Sequence, residues 1–137
     1  MICFKIENGA KLPQRAHEDD SGLDLALIED VEIAPFETKV VHTGVHAVME
    51  RGFDATVLPR SSISKRGILV HTGTVDQSYT GEIGVTVTNL RMNAVYIKAG
   101  ERIAQLVIRP VCLSETRKID SLPVTDRGAG GYGSTGK

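Results

Sequence analysis

The β-branched residues set the strongest constraint on this chain. Val, Ile and Thr make up 36 of its 137 residues. Side chains branched at Cβ lose freedom in a helix but pack well on a pleated sheet. They recur here in short alternating runs. Ile2, Phe4 and Ile6 share one face of a strand. Phe53, Ala55 and Val57 alternate with Asp54 and Thr56, and Ile83, Val85 and Val87 with Gly84, Thr86 and Thr88. The denser run from Ile103 to Ile108 predicts a strand buried on both faces. Turn residues fall at Asp30, Ala34-Pro35, Glu50-Arg51-Gly52, Asn89 to Asn93 and Lys98 to Glu101. Only Ser61 to Arg66 reads as a short helical turn, with a serine as its N-cap. Many short strands at close spacing predict one all-β domain, a sandwich, barrel or jelly roll. No internal repeat or interdomain linker interrupts it.

Size and charge narrow the function. A compact fold of 14.8 kDa exposes about 7,000 Å², against about 21,000 Å² for the extended chain, so one real core is affordable. Sixteen Lys and Arg face seventeen Asp and Glu. That balance argues against nucleic acid or an anionic membrane as partner. Three Phe, three Tyr and no Trp leave few platforms for stacked bases. No apolar run approaches the ~18 residues of a membrane span. Met1 to Lys5 lacks a signal-peptide layout, so a cytoplasmic protein with reduced, buried Cys3 and Cys112 is expected. A bridge between them would require the terminal strands to pair. His42 and His46 have i,i+4 spacing, but Gly44 lies between them and Thr43 stands where a zinc protease needs Glu. They read as ordinary histidines of a strand region.

Four clusters carry chemistry. Residues 127 to 137 hold five of the fourteen glycines. Bare backbone N–H groups, the hydroxyls of Ser134 and Thr135 and the Arg127 fork form an anion cradle with one aromatic, Tyr132. The GxGxxG match at 128 to 133 and the GxxxxGK match at 131 to 137 lack the strand and helix that such loops need. Pro59-Arg60-Ser61-Ser62 supplies a second phosphate-binding set, a guanidinium beside two hydroxyls. Gly73 to Glu82 reads as a hairpin in which Asp76 and Tyr79 flank one small ligand, or serve as a turn Asp and a packing Tyr. Arg102 and Gln105 open a strongly apolar strand, where polar groups need partners. Those partners belong either to a site or to a salt bridge with the hairpin.

Together the clusters resemble the trimeric dUTPase family. Its five motifs appear in order: Ser21-Gly22-Leu23-Asp24-Leu25, Pro59 to Gly67, Gly73 to Glu82, Gly100 to Leu106 and Arg127 to Gly136. Ile63-Ser64 replaces the common Leu-Ala, and Thr80 sits where a basic residue is frequent. The resemblance implies a distorted jelly-roll barrel over residues 1–126 and a flexible arm over 127–137. It implies a homotrimer with active sites shared between subunits, and the reaction of dUTP with water to give dUMP and pyrophosphate with Mg²⁺. Such a reaction limits uracil in DNA and supplies dUMP for thymidylate synthesis. By the same resemblance Asp76 is the general base and Tyr79 packs on the deoxyribose. Arg60, Ser61, Ser62 and Gln105 contact phosphates, and the Gly73 backbone reads the uracil edge. Tyr132 stacks on the base, while Arg127, Ser134 and Thr135 reach the γ-phosphate. Asp24 and Arg102 support the site. Mg²⁺ rides on phosphate oxygens and water, with no protein ligand. Two alternatives share the scaffold. A dCTP deaminase carries a catalytic Glu where Thr86 stands here, and no acidic residue lies between Glu82 and Glu101. A dUTP-sensing regulatory protein would have no need of Asp76, Tyr79 and the arm together.

Overall fold

The computed structural model describes residues 1–131. Among these described residues eleven strands form, and every pair among them is antiparallel. β1 (Ile2–Ile6) pairs with β5 (Val45–Met49), and β3 (Val31–Ile33) with β10 (Val95–Ile97). A three-stranded sheet has the order β4 (Thr38–Val41), β9 (Val85–Asn89), β7 (Ile68–Val70). A four-stranded sheet has the order β2 (Gly22–Ala26), β11 (Arg102–Pro110), β6 (Phe53–Pro59), β8 (Gly73–Val75). Neighbours in space are often distant in sequence, as a jelly roll requires. The alternating side chains meet in one core built on Leu25, Ile33, Val45, Val85, Ile97, Ile103 and Leu106, all fully buried.

β11 is the central strand, as its apolar run predicts, but it is not buried equally on both sides. Ile103, Ala104 and Leu106 are buried, whereas Gln105, Val107 and Ile108 are half-buried. A β-bulge explains two consecutive buried residues. Against β2 the register runs from Arg102 opposite Ala26 to Ala104 opposite Leu25, leaving Ile103 as the extra residue. An extra residue reverses the alternation. Arg102 and Gln105, three apart, therefore share the outer face with Asp24, which lies opposite Gln105.

Two further expectations need correction. Both cysteines are exposed and free. Cys3 lies between Ile2 and Phe4, so strand alternation turns it outward, and Cys112 lies beyond the last strand. The terminal strands do not pair, since β1 takes β5 as its partner. The helical turn α1 (Ser61–Ser64) is capped by Arg60 with no side-chain cap bond.

The core ends in β11. Residues 111–131 form no strand, and Leu122 and Val124 are almost wholly exposed. The chain exposes 9566 Å², well above the roughly 7,000 Å² of a compact monomer this size. Residues 112–129 are exposed throughout.

Candidate active site

The first cluster forms where β6 ends and β2 and β11 run beside it. Asp24, Arg60, Ser61, Ser62 and Gln105 line one cavity of about 290 Å³, joined by Ser21 and Gly22. Asp24 organises it. Its Oδ1 accepts from Arg60 Nε at 3.0 Å and its Oδ2 from Arg102 Nη1 at 2.8 Å. The carboxylate is only 14% exposed, so each oxygen fixes one guanidinium with little competition from water. Arg60 Nη1 also donates to the Arg102 carbonyl at 3.3 Å. Gln105 Nε2 donates to the Pro59 carbonyl at 3.0 Å, which ties β11 to the turn holding the serines. Arg102 thus finds its partner on β2 and not in the hairpin. Two hydroxyls, an amide and two held guanidinium groups suit a phosphate.

The second cluster is the hairpin. Gly73, Asp76 and Tyr79 line a cavity of about 190 Å³ together with Val57 and Glu82. Tyr79 N–H donates to the Asp76 carbonyl at 2.9 Å. Tyr79 Oη donates to the Glu82 carbonyl at 2.9 Å. With its hydroxyl satisfied, the ring presents a flat face. Gly81 makes room for it: a Cβ there would lie 2.4 Å from Tyr79 Oη and 2.5 Å from Cζ.

Glu82 anchors the hairpin to the turn before β5, where Thr43 N–H and Gly44 N–H donate to its Oε1 at 2.9 and 2.8 Å. Its Oε2 meets His42 Nδ1 at 2.9 Å. Partial burial works to raise the Glu82 pKa. The Gly44 N–H, the His42 ring and the Thr43 N–H together outweigh it and hold the group below the ordinary carboxylate value. The Glu82 carboxylate in turn raises His42, chiefly through their hydrogen bond. The sequence reading passed over Glu82 and took His42 and His46 for ordinary histidines of a strand region. The glycine between the histidines was the available signal, because it marks a turn and not a continuous strand.

The two clusters stand apart in the chain. The β6–β8 register sets Val75 opposite Ala55, and so Asp76 beside Asp54. Arg60 lies six positions further along, so the two sit about 20 Å apart at a strand's rise. Arg127 stands apart from both, its Nε donating to the Gly130 carbonyl at 2.9 Å. Tyr132, Ser134 and Thr135 lie outside the described residues. Among the described residues no group of three or more His, Cys, Asp or Glu side chains gathers to hold a metal. No helix among them is long and apolar enough to cross a membrane.

An all-β jelly-roll fold with a cavity lined by arginine, hydroxyl and amide groups and an aromatic hairpin defines the class. The dUTPase family model matches residues 8–136, and the chain belongs to that family. It is 44% identical to a deoxyuridine 5'-triphosphate nucleotidohydrolase of Gloeothece citriformis, over 96% of this chain and 93% of that protein. It is 43% identical to one of Nautilia profundicola, over 97% and 96%. The fold matches the Staphylococcus bacteriophage 80alpha dUTPase with dUpNHpp at a TM-score of 0.95 and 27% identity, covering 100% of this chain and 99% of that one.

Proposed function

We propose that this protein hydrolyses dUTP to dUMP and pyrophosphate in sites that two or more copies build together. The observation that carries this reading is the separation along β6. A cradle for phosphates stands at one end, and a carboxylate with an aromatic face at the other. One phosphate group cannot touch both Asp76 and Arg60 of the same chain, but it can lie between the hairpin of one copy and the cradle of another. A closed homotrimer repeats that contact three times, and the large exposed surface of the single subunit agrees with it.

In this reading Arg60, Ser61, Ser62 and Gln105 hold the phosphates, with Asp24 and Arg102 keeping Arg60 in line. The Gly73 backbone reads the uracil edge. Tyr79 packs its ring against C2′ and leaves no room for a ribose hydroxyl. Asp76 takes a proton from water as the water oxygen attacks the α-phosphorus. The bond from that phosphorus to the bridging oxygen breaks, and pyrophosphate leaves. The arm supplies Arg127, Ser134 and Thr135 to the terminal phosphate and Tyr132 to the base. The cradle's donors are cationic and hydroxylic, which suits a metal that arrives on the substrate. Mg²⁺, bound to phosphate oxygens and water, would neutralise charge during the transfer. In this reading the protein works in the cytoplasm.

Asp76→Asn tests the reading. The amide cannot accept the proton, so turnover with dUTP and Mg²⁺ should fall at least ~100-fold. Binding of a non-hydrolysable dUTP analogue should persist. Near-normal pyrophosphate release from the variant would remove Asp76 from its role.

A further inference from the structure

The outgoing limb of the hairpin, residues 79 to 84, builds no ladder of its own. Ile83 N–H donates to the Val45 carbonyl at 2.8 Å, and Thr43 Oγ1 to the Ile83 carbonyl at 2.7 Å. Glu82 reaches the turn at 42–44 as described. The remaining tie is His46, which faces Glu82 across an isolated β-bridge. Its Nδ1 lies 3.0 Å from the Thr80 carbonyl oxygen. Its Nε2 lies 2.9 Å from Glu7 Oε1, just beyond the end of β1.

Both of these partners can only accept. A backbone carbonyl and a carboxylate have no hydrogen to give, so each ring nitrogen must carry its own. Only the imidazolium has two N–H groups. A neutral ring keeps one contact and turns a lone pair on the other acceptor. The side chain is 18% exposed and Glu7 47%, so water replaces the lost contact only in part. Thr80 is the neighbour of Tyr79, whose two hydrogen bonds run to Glu82 and Asp76. A slack tie at Thr80 therefore reaches the aromatic face and the carboxylate together.

We propose that His46 is a positioning residue for dUTP hydrolysis: as the imidazolium it ties the Thr80 carbonyl to Glu7, and loss of its proton loosens the hairpin and weakens the choice of deoxyribose over ribose. The proposal rests on the reading of Tyr79 and Asp76 given above. Every charged group facing the ring enters the balance. The Glu7 carboxylate acts first to hold the proton, the Thr80 carbonyl adds to it, and Lys5, directly opposite His46 on β1, works against it. Glu82 stands across the bridge, and His42 lies in the turn that precedes β5. The net direction is upward from the ordinary imidazole value. The tie is thus complete below about pH 6.5 and is lost as pH rises through the raised value.

The experiment compares kcat/KM for dUTP with that for UTP, with Mg²⁺, from about pH 5.5 to about pH 9. The ratio cancels triphosphate ionisation and metal binding, which the two nucleotides share. In the parent enzyme the ratio should fall about fivefold as the ring deprotonates, as for loss of one hydrogen bond. His46→Ala should give a low ratio at every pH. Glu7→Gln keeps an acceptor but removes the charge that holds the proton. It should move the midpoint to lower pH, a change that a merely structural role would not produce. A parent ratio independent of pH, or a midpoint unmoved in Glu7→Gln, overturns the proposal even if His46→Ala fails to fold. Asp76→Asn and Tyr79→Ala run in parallel separate the two readings. Activity in the first, or an unchanged ratio in the second, would fault the reading of the hairpin itself. If both behave as expected and the parent ratio stays flat, only the assignment of His46 fails.

Discussion

Asp24 holds two arginines with one carboxylate, and replacing a single oxygen tests that arrangement. In Asp24→Asn the side chain keeps one acceptor and gains an NH₂. Whichever way the amide turns, one guanidinium now faces a donor. Arg60 is 23% exposed and Arg102 52% exposed, so the amide oxygen should stay on Arg60 and release Arg102 to water. One charge-assisted hydrogen bond is lost, roughly 1.5–3 kcal/mol, and solvent returns part of it at the exposed arginine, leaving about 2 kcal/mol of destabilisation. Asp24→Ala leaves both cations without a counter-charge and should cost about 3 kcal/mol. Urea unfolding at fixed protein concentration reads the difference as a lower midpoint with an unchanged slope. Thermal unfolding of the Asn variant should fall by about 8 °C. Because the cradle loosens, KM for dUTP should rise about fivefold, equivalent to about 1 kcal/mol of binding. If both variants lay within about 0.5 kcal/mol of the parent with unchanged KM, the carboxylate would be an ordinary surface ion-pair partner and the reasoning would fail.

Gly22→Ala should disturb phosphate binding more than folding, because the added Cβ would lie 2.1 Å from Gln105 Oε1 and 2.9 Å from its Cβ. Gln105 must then swing off the Pro59 carbonyl, and KM should rise several-fold, about 1 kcal/mol, in steady-state kinetics. The His42–Glu82 pair predicts a pH window of stability. His42 is raised, so its contribution is full below about pH 6.5 and lost as pH rises through its folded value. Glu82 is lowered, so its contribution holds above about pH 4.5 and is lost as pH falls through its folded value. Melting temperature should therefore peak between these limits, and His42→Ala should flatten the alkaline side. An equally steep alkaline side in that variant would assign the titration elsewhere.

Much of the strand framework is legible in local pattern. The alternation at residues 2 to 6 and 53 to 57 and the apolar run at 103 to 108 all fall within strands, because period-two burial needs only a short window. The three-residue strands β3 and β10 leave no such window. Cys3 shows position overruling residue type, since the same alternation that half-buries Phe4 exposes its neighbour. The bulge at Ile103 is likewise silent in sequence, yet it decides which face Arg102 takes. The site residues were legible as motifs. Their pairings were not, since Asp24 meets Arg102 across 78 positions and nothing local selects that partner. The serine expected to cap α1 fails for a related reason. The chain enters the turn one residue earlier, at Arg60, whose backbone carbonyl accepts from Ile63 and Ser64.

The rigid span of β6 also bears on inheritance. If cradle and hairpin always serve different sites, a chain defective in one is not defective in the other. A subunit lacking Arg60 still lends a sound Asp76 to its neighbour, and a subunit lacking Asp76 still lends a sound cradle. Two inactive proteins, unfolded together and refolded as mixed trimers, would regain about a quarter of their sites by random assortment. A cell carrying both defective alleles would keep part of the activity that either allele alone abolishes.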